Sequence, residues 1–363
     1  MAISLKGRNF FALEDFTPEE IRYLLDLAIQ LKKESKEHIK HQDYIGEDFL
    51  LLFEMNSTRT RCAFETSAND LGMGTTFLSN SHFGNTETIK DSMRVFSEMY
   101  SAIGYRGAKH STLLEMAKDS TIPIINGYTD HQHPTQMLAD AMTLDEVWGR
   151  ENYKGKTLCF IGRGGAVNSF SYGVMCAMLG MNFTYITSYM EMDEALEGLT
   201  AAEKATFRKF VPEGVVSPNW DTKMDARKRK IVEELFAKYS PECKFIETDD
   251  INAIKGVDVI TTENWGFFTD PVETWLPGIV RFRPYQVNRE LLERSENPDC
   301  IVIHMLPSTH NMDHASGQKL LSVIEDPELR EFLKGGMEVT DEVFEQNAKY
   351  IFQEAGNRKH TIK

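Results

Sequence analysis

Lys154-Gly155-Lys156-Thr157-Leu158-Cys159-Phe160-Ile161 reads as a polar turn followed by a short, uninterrupted apolar run. A strand covered by helices on both faces has this pattern, because neither face of such a parallel sheet is left for polar alternation. The run opens the second of two series. It is followed by comparable runs at Asn182–Ile186, 257–261 and 300–304, and preceded by runs at 49–53, 75–78, 102–105 and 122–125. Helical periodicity separates the earlier ones, at 61–71 and 87–100, and Thr17-Pro18-Glu19-Glu20 opens a helix with a capping threonine, a proline at the first position and a capping-box glutamate. Strand and helix alternate, and the alternation restarts once. The expectation is therefore an α/β chain of two doubly wound parallel-sheet domains joined by interdomain helices.

With 363 residues the chain exceeds the size at which a single core stops growing. Pro134–Trp148 reads as the helix joining the halves, which puts the domains at 1–149 and 150–340, with a C-terminal helix at 341–363 packing back on the first. Residues 341–356 carry its helical pattern. The stretch 191–241, long and charged, with Pro212, Pro218 and Trp220 interrupting it, is expected to form an elaborated surface element.

Bulk composition removes several classes of function. Apolar residues make up 41% and charged residues 26%, and no segment is long and charge-free enough to span a bilayer. The start, Met1-Ala2-Ile3-Ser4-Leu5-Lys6-Gly7-Arg8, lacks the apolar stretch of a secretory signal, and five widely spaced cysteines form no C-x-x-C pair. A cytoplasmic protein with reduced thiols is expected. A formal charge of −15 with no basic stripe opposes a nucleic-acid role, yet a few arginines in a crevice can still reverse the local field for a small anion.

Ser57-Thr58-Arg59-Thr60-Arg61 supplies such arginines, together with hydroxyls, between a buried strand and a helix. Unpaired amides and a partial positive charge at a helix N-terminus suit a phosphate; the competing reading is an ordinary capped helix with solvated arginines. Thr129-Asp130-His131-Gln132-His133-Pro134-Thr135-Gln136 is a polar loop entering the linking helix, where His133 and Gln136 can face a cleft. Either histidine can equally be structural, and the pair lacks a third ligand for zinc. Arg106 follows a strand at its carboxyl end, where open α/β sheets bind ligands, and His304-Met305-Leu306-Pro307 ends a strand of the second half.

These residues resemble the aspartate/ornithine carbamoyltransferase family, and its ornithine branch in particular. The resemblance is carried by Ser57-Thr58-Arg59-Thr60-Arg61, Glu87-Thr88-Ile89-Lys90-Asp91, His133-Pro134-Thr135-Gln136, His304-Met305-Leu306-Pro307, Gly336-Met337-Glu338-Val339-Thr340-Asp341 and Asn357-Arg358, in family order. It implies a carbamoyl-phosphate-binding first domain and an acceptor-binding second domain. Ser57, Thr58, Arg59 and Thr60 would hold the phosphate, with Arg106 shared between phosphate and carbonyl oxygen. His133 would polarise that oxygen and Gln136 would hold the carbamoyl nitrogen, while the Leu306 carbonyl and Arg358 would close the site from the second domain. Arg106, His133 and Thr60 would carry catalysis. No metal or organic cofactor is implied, and a homotrimer or multiple of trimers is.

The sequence departs from the family pattern on the acceptor side. The loop that would reach a neighbouring subunit reads Ser81-His82-Phe83-Gly84, leaving His82 for that contact. Gly162-Arg163-Gly164-Gly165-Ala166-Val167-Asn168 leaves Asn168 in place of an asparagine pair, and Glu263-Asn264-Trp265-Gly266-Phe267-Phe268-Thr269 replaces the loop that grips the amino-acid end of ornithine. Met305 stands where the family has cysteine. Asn168, Glu263, Phe267, Phe268 and Met305 are thus the acceptor candidates. Phe267 and Phe268 suit a less polar amine such as putrescine, Arg163 an acidic one, and the resemblance itself favours ornithine. A dinucleotide reading of the glycines fails because Val167 breaks the G-x-G-x-x-G spacing. A regulator that only binds carbamoyl phosphate is the non-enzymatic alternative.

Overall fold

Alternate residues of the first strand pack on opposite sides of its sheet. In a computed structural model describing residues 3–39, 41–163, 167–215, 222–268 and 270–363, Leu50 and Leu52 pack with Met93, Leu113 and Met116, whereas Phe49, Leu51 and Phe53 pack with Phe64 and Ala68. Successive side chains of a strand point to opposite faces, so a strand apolar throughout requires helices on both. Strand β1 (Asp48–Phe53) pairs in parallel with β2 (Gly74–Leu78) and β3 (Ala102–Arg106), and β3 pairs with β4 (Ile124–Tyr128), giving the order β2-β1-β3-β4. The helices Arg59–Asp70, Ile89–Met99 and His110–Asp119 are the crossovers.

In the second sheet β5 (Thr157–Ile161), β6 (Asn182–Ile186), β7 (Phe245–Thr248), β8 (Val259–Thr262) and β9 (Ile301–His304) run parallel in the order β7-β6-β5-β8-β9. Cys159, Ile161, Ile186, Ile260 and Val302 face a core completed by Val343, Phe344 and Ile351. On the other side Phe160 meets Tyr172 of the helix Val167–Leu179.

The chain divides into two compact units, residues 1–153 with 353–363, and residues 154–352. In each sheet the winding direction reverses once, between β1 and β3 in the first and between β5 and β8 in the second. At such a reversal the loops leaving adjacent strands diverge to opposite sides, opening a crevice at the carboxyl ends.

Several boundaries differ from the sequence reading. β4 begins at Ile124, after Pro123, whose carbonyl accepts the amide of Ile103. β7 has no counterpart in the reading, being a short edge strand with no buried residue. The last helix runs Asp341–Ile362, past Gly356, because Asn357 and Lys359 find partners that hold the final turns. The stretch 191–241 is not confined to the surface: Leu196, Leu199, Phe207 and Val211 enter a core with Trp265, Trp275 and Phe282. Pro218 and Trp220 lie outside the described residues, as do Met1 and Ala2. No helix among the described residues is long and apolar enough to cross a membrane.

Candidate active site

The reversal between β1 and β3 gathers most of the predicted donor residues within the first unit. Phe53 and Arg106 are register partners at the strand ends, and the amide of Glu54 donates to the Arg106 carbonyl at 2.9 Å. The chain then enters the helix Arg59–Asp70 through Ser57, half-buried, and Thr58, exposed. Thr58 makes no side-chain capping bond, so the capped-helix alternative is not the arrangement found and the first turn keeps its positive end. Arg61 turns aside to Glu65 at 2.9 Å and lies over the Phe77 ring at 3.6 Å.

Arg106 packs over the Tyr128 ring at 4.7 Å and donates from Nη1 to the Gly127 carbonyl at 3.3 Å. A side chain at Gly127 would meet Phe64 at 3.1 Å and the Tyr105 carbonyl at 3.2 Å, which explains the glycine there. The Nε of Arg106 is buried without a hydrogen-bond partner among the described residues. Arg358, on the last helix, donates from Nη1 to the Thr60 hydroxyl at 3.3 Å. It belongs to the first unit, which corrects the expectation that it acts from the second domain.

Burial, with repulsion from Arg358, pulls Arg59 down to about 10, and burial pulls Arg106 to about 10 against the favourable Tyr128. His133 sits fully buried at the start of the helix Pro134–Trp148, its Nδ1 3.4 Å from the Thr135 hydroxyl and its ring edge-on to Tyr128. Burial, then Arg358, Arg106 and Arg59, holds it well below the usual histidine range. It is a neutral imidazole at pH 7. Three guanidiniums that repel one another around a neutral histidine make a field suited to a dianion.

Gln136 donates from Nε2 to Asp140 at 2.8 Å and to Glu354, while its Oε1 is buried without a hydrogen-bond partner among the described residues. Glu354 was not identified from the sequence, although its i,i+4 spacing to Arg358 was a usable signal. Burial and Asp140 raise the Glu354 carboxyl well above its ordinary value against the pull of Arg358. His131 bonds Glu14 at 2.6 Å and lies tilted beside His110, ring centroids 4.6 Å apart, so it serves the loop's architecture. His82 is exposed, its carbonyl accepting the amides of Asn85, Thr86 and Glu87.

The second unit has its own crevice, at the reversal between β5 and β8. Arg163 follows β5 and Glu263 follows β8, with Arg163 Nη2 at 3.5 Å from Glu263 Oε1 and Asn168 Nδ2 donating to Glu263 Oε2 at 2.5 Å. The Arg163 guanidinium lies over the Phe267 ring at 3.6 Å, so Phe267 is a platform for a charge. Phe268 is 47% exposed and packs edge-on to Trp275. Arg163, Trp265 and Phe267 line one pocket. Arg163 Nε and Nη1, Trp265 Nε1, Glu263 Oε1 and Asn168 Oδ1 are all buried without hydrogen-bond partners among the described residues. Buried polar atoms are ordinarily paired, so this crevice is where the described residues leave the most donors and acceptors available in the second unit's switch region.

Met305 is buried after β9, and Leu306 half-buried. The buried His304 bonds Glu338 at 3.1 Å, and Glu338 also accepts from Ser308 and from the Thr309 amide, both at 2.7 Å, fixing the turn around Leu306 and Pro307. Gly164, Gly165, Ala166 and Thr269 lie outside the described residues.

Two parallel α/β units, each with a polar crevice at its topological switch point, define a protein of the class whose open sheets bind small ligands at the carboxyl ends of their strands. Residues 8–146 match the family model of the aspartate/ornithine carbamoyltransferase carbamoyl-P binding domain, and residues 154–363 match that of the Asp/Orn binding domain. An ornithine carbamoyltransferase of Pediococcus pentosaceus is 36% identical over 368 residues, covering 100% of this chain and 97% of that one. A catabolic ornithine carbamoyltransferase of Pseudomonas putida is 36% identical over 366 residues, with the same coverage of 100% and 97%. Among solved structures, an ornithine carbamoyltransferase from Pyrococcus furiosus superposes with a TM-score of 0.78 at 28% identity, covering 99% of this chain and 96% of that one. The chain belongs to the aspartate/ornithine carbamoyltransferase family.

Proposed function

We propose that this chain transfers the carbamoyl group of carbamoyl phosphate to the side-chain amine of ornithine, giving citrulline and phosphate. The observation that carries the donor half is the convergence of Arg59, Arg106 and Arg358 on neutral His133, with Gln136 Oε1 buried and without a hydrogen-bond partner among the described residues. Ser57, Thr58, Thr60 and the first amides of the helix Arg59–Asp70 would hold the phosphate with Arg59. We assign His133 the tautomer with its proton on Nε2, in which the Thr135 hydroxyl, 3.4 Å from Nδ1, donates to that nitrogen and Nε2–H is offered to the carbonyl oxygen beside Arg106. Attack by the neutral amine on the carbonyl carbon moves charge onto that oxygen, and donors already in position stabilise it. The C–O bond to phosphate then breaks, and the departing phosphate takes the amine's proton. The main chain of Leu306 is assigned to the carbamoyl group by resemblance.

For the acceptor, Arg163 Nε and Nη1 and Trp265 Nε1, which have no hydrogen-bond partner among the described residues, suit a carboxylate, and Glu263 Oε1, which meets only the Arg163 guanidinium at 3.5 Å, and Asn168 Oδ1 suit an ammonium. Together they complement the head of an α-amino acid, which favours ornithine over putrescine, because putrescine brings no carboxylate to Arg163 Nε and Nη1. Incubating the protein with carbamoyl phosphate and ornithine, putrescine, lysine, N-acetylornithine or aspartate, with mass spectrometry of products, tests this. Citrulline formed at a kcat/KM well above every other product supports the assignment; a faster alternative product refutes it.

Family resemblance also supports a homotrimer in which the loop around His82 reaches a neighbour's site, and five free cysteines support a reducing, cytoplasmic setting. Light scattering at the mass of one or two chains would refute the trimer.

A further inference from the structure

We infer that Glu354, with Asp140, is a positioning residue that restricts the donor to acyl phosphates bearing an N–H group, by locking the amide of Gln136. This rests on the donor site proposed above. A glutamine amide has two N–H donors and one oxygen acceptor, and it can turn end for end in response to its surroundings. Here both donors are spent. Gln136 Nε2 donates to Asp140 Oδ1 at 2.8 Å and to Glu354 Oε1, two carboxyl groups 0% and 1% exposed. Turning the amide over would place its oxygen against oxygens of both Asp140 and Glu354 in a buried space, and a proton held on the raised Glu354 carboxyl could answer only one of those two contacts. The oxygen therefore stays where it is found, buried and without a hydrogen-bond partner among the described residues.

An acceptor fixed in that position distinguishes ligands of similar shape. A carbamoyl group presents NH2 and can donate to Gln136 Oε1. An acetyl group presents CH3, which fills the same space and leaves that oxygen unsatisfied. Sites built to hydrogen-bond one group reject the isostere lacking it, because the buried partner is left without a bond. Glu354 has a second tie, 3.8 Å to Arg358 Nη2, so it sits between the amide that reads the acyl end and a guanidinium assigned to the phosphate end. Removing the carboxylate should therefore affect the two ends in opposite directions.

The test measures binding of carbamoyl phosphate, acetyl phosphate and inorganic phosphate by calorimetry to the wild-type full chain, Glu354→Gln and Asp140→Asn. Wild type should bind carbamoyl phosphate at least ten-fold more tightly than acetyl phosphate. Glu354→Gln should cut that ratio by ten-fold or more, through weaker carbamoyl phosphate binding, while acetyl phosphate and inorganic phosphate bind as well as before or better. Asp140→Asn should lower the ratio in the same direction and serves if Glu354→Gln does not fold. A wild-type ratio near one overturns the proposal, as does a variant that loses both acyl phosphates in proportion or neither. If wild type binds none of the three phosphates, the donor-site reading fails and this inference with it.

Discussion

Arg358 donates to the hydroxyl of Thr60 at 3.3 Å, across 298 positions of sequence. The bond joins the last helix to the first turn of the helix that follows β1, and it points a guanidinium at the place where the phosphate is assigned. Replacing Arg358 by alanine should lower kcat/KM for carbamoyl phosphate by about 2 to 4 kcal/mol in transition-state terms, the usual loss for a charge-assisted contact to a developing anion. Thr60→Ala should cost less, about 1 to 2 kcal/mol, because it removes a neutral hydroxyl that both holds Arg358 and is assigned to the phosphate. An effect of Thr60→Ala as large as that of Arg358→Ala would mean that Thr60 does more than these two contacts.

The cluster of arginines carries an opposite cost for the empty fold. Arg59 and Arg106 fall to about 10 through burial, with repulsion from Arg358 added, so between that value and 12.5 the unfolded chain binds more protons than the folded one. Stability then rises with pH through that window, and at pH 7 the charged arginines oppose folding. Arg106→Met should melt no lower than wild type without ligand, yet lose the rise in Tm that phosphate gives wild type. Calorimetric melts with and without phosphate check both halves.

Acid should destabilise the protein through two histidines. His133 lies well below 6.5 through burial and the three arginines, and His360 is pulled to about 4 by burial and by Lys359, Lys32 and Lys363. Each is deprotonated in the fold while the unfolded chain takes up a proton below about 6.5. Their contribution is complete above that pH and is lost as pH falls through the folded values. His360→Gln should flatten the fall of Tm between pH 6.5 and 4, and nitrogen NMR should show His133 still neutral at pH 6. An imidazolium signal for His133 at pH 6 would contradict its assigned role.

Arg163 gives the acceptor crevice a test that does not depend on turnover. L-Norvaline has the amino-acid head of ornithine without its reacting amine, whereas pentanoate and pentylamine each carry half of that head. Norvaline should bind at least ten-fold more tightly than either half, and Arg163→Met should weaken it by about 2 to 4 kcal/mol while carbamoyl phosphate binding stays unchanged. Pentylamine binding as tightly as norvaline would point to a diamine acceptor.

The sequence was most legible where burial is two-sided. Thr157–Ile161 and Asn182–Ile186 match the observed strands to the residue, because each is apolar enough to need cover on both faces. β7 escaped notice since an edge strand with Glu247 and Thr248 has no such requirement. Arg59, Arg358 and His133 stand in local motifs and Arg106 at a strand end, which is why the sequence offers them as candidates. Glu354 was missed because it stands outside every family motif and looks, within the helical pattern 341–356, like one more acidic helix residue; only the fold buries it against Gln136. Phe267 was read as apolar bulk, since only three-dimensional contact reveals a guanidinium stacked upon it.

The first unit is written in two pieces, residues 1–153 and 353–363, with the entire second unit between them. On the ribosome, Arg59, Arg106 and His133 are therefore made well before Glu354 and Arg358, separated by a delay of roughly 10 to 40 s at ordinary elongation rates. A nascent chain holding only the first piece has two of its three guanidiniums, and nothing to orient Gln136 except Asp140. It gains the full grip on phosphate only after the other half has been translated, so binding competence comes late in synthesis and cannot be inherited by the first piece alone.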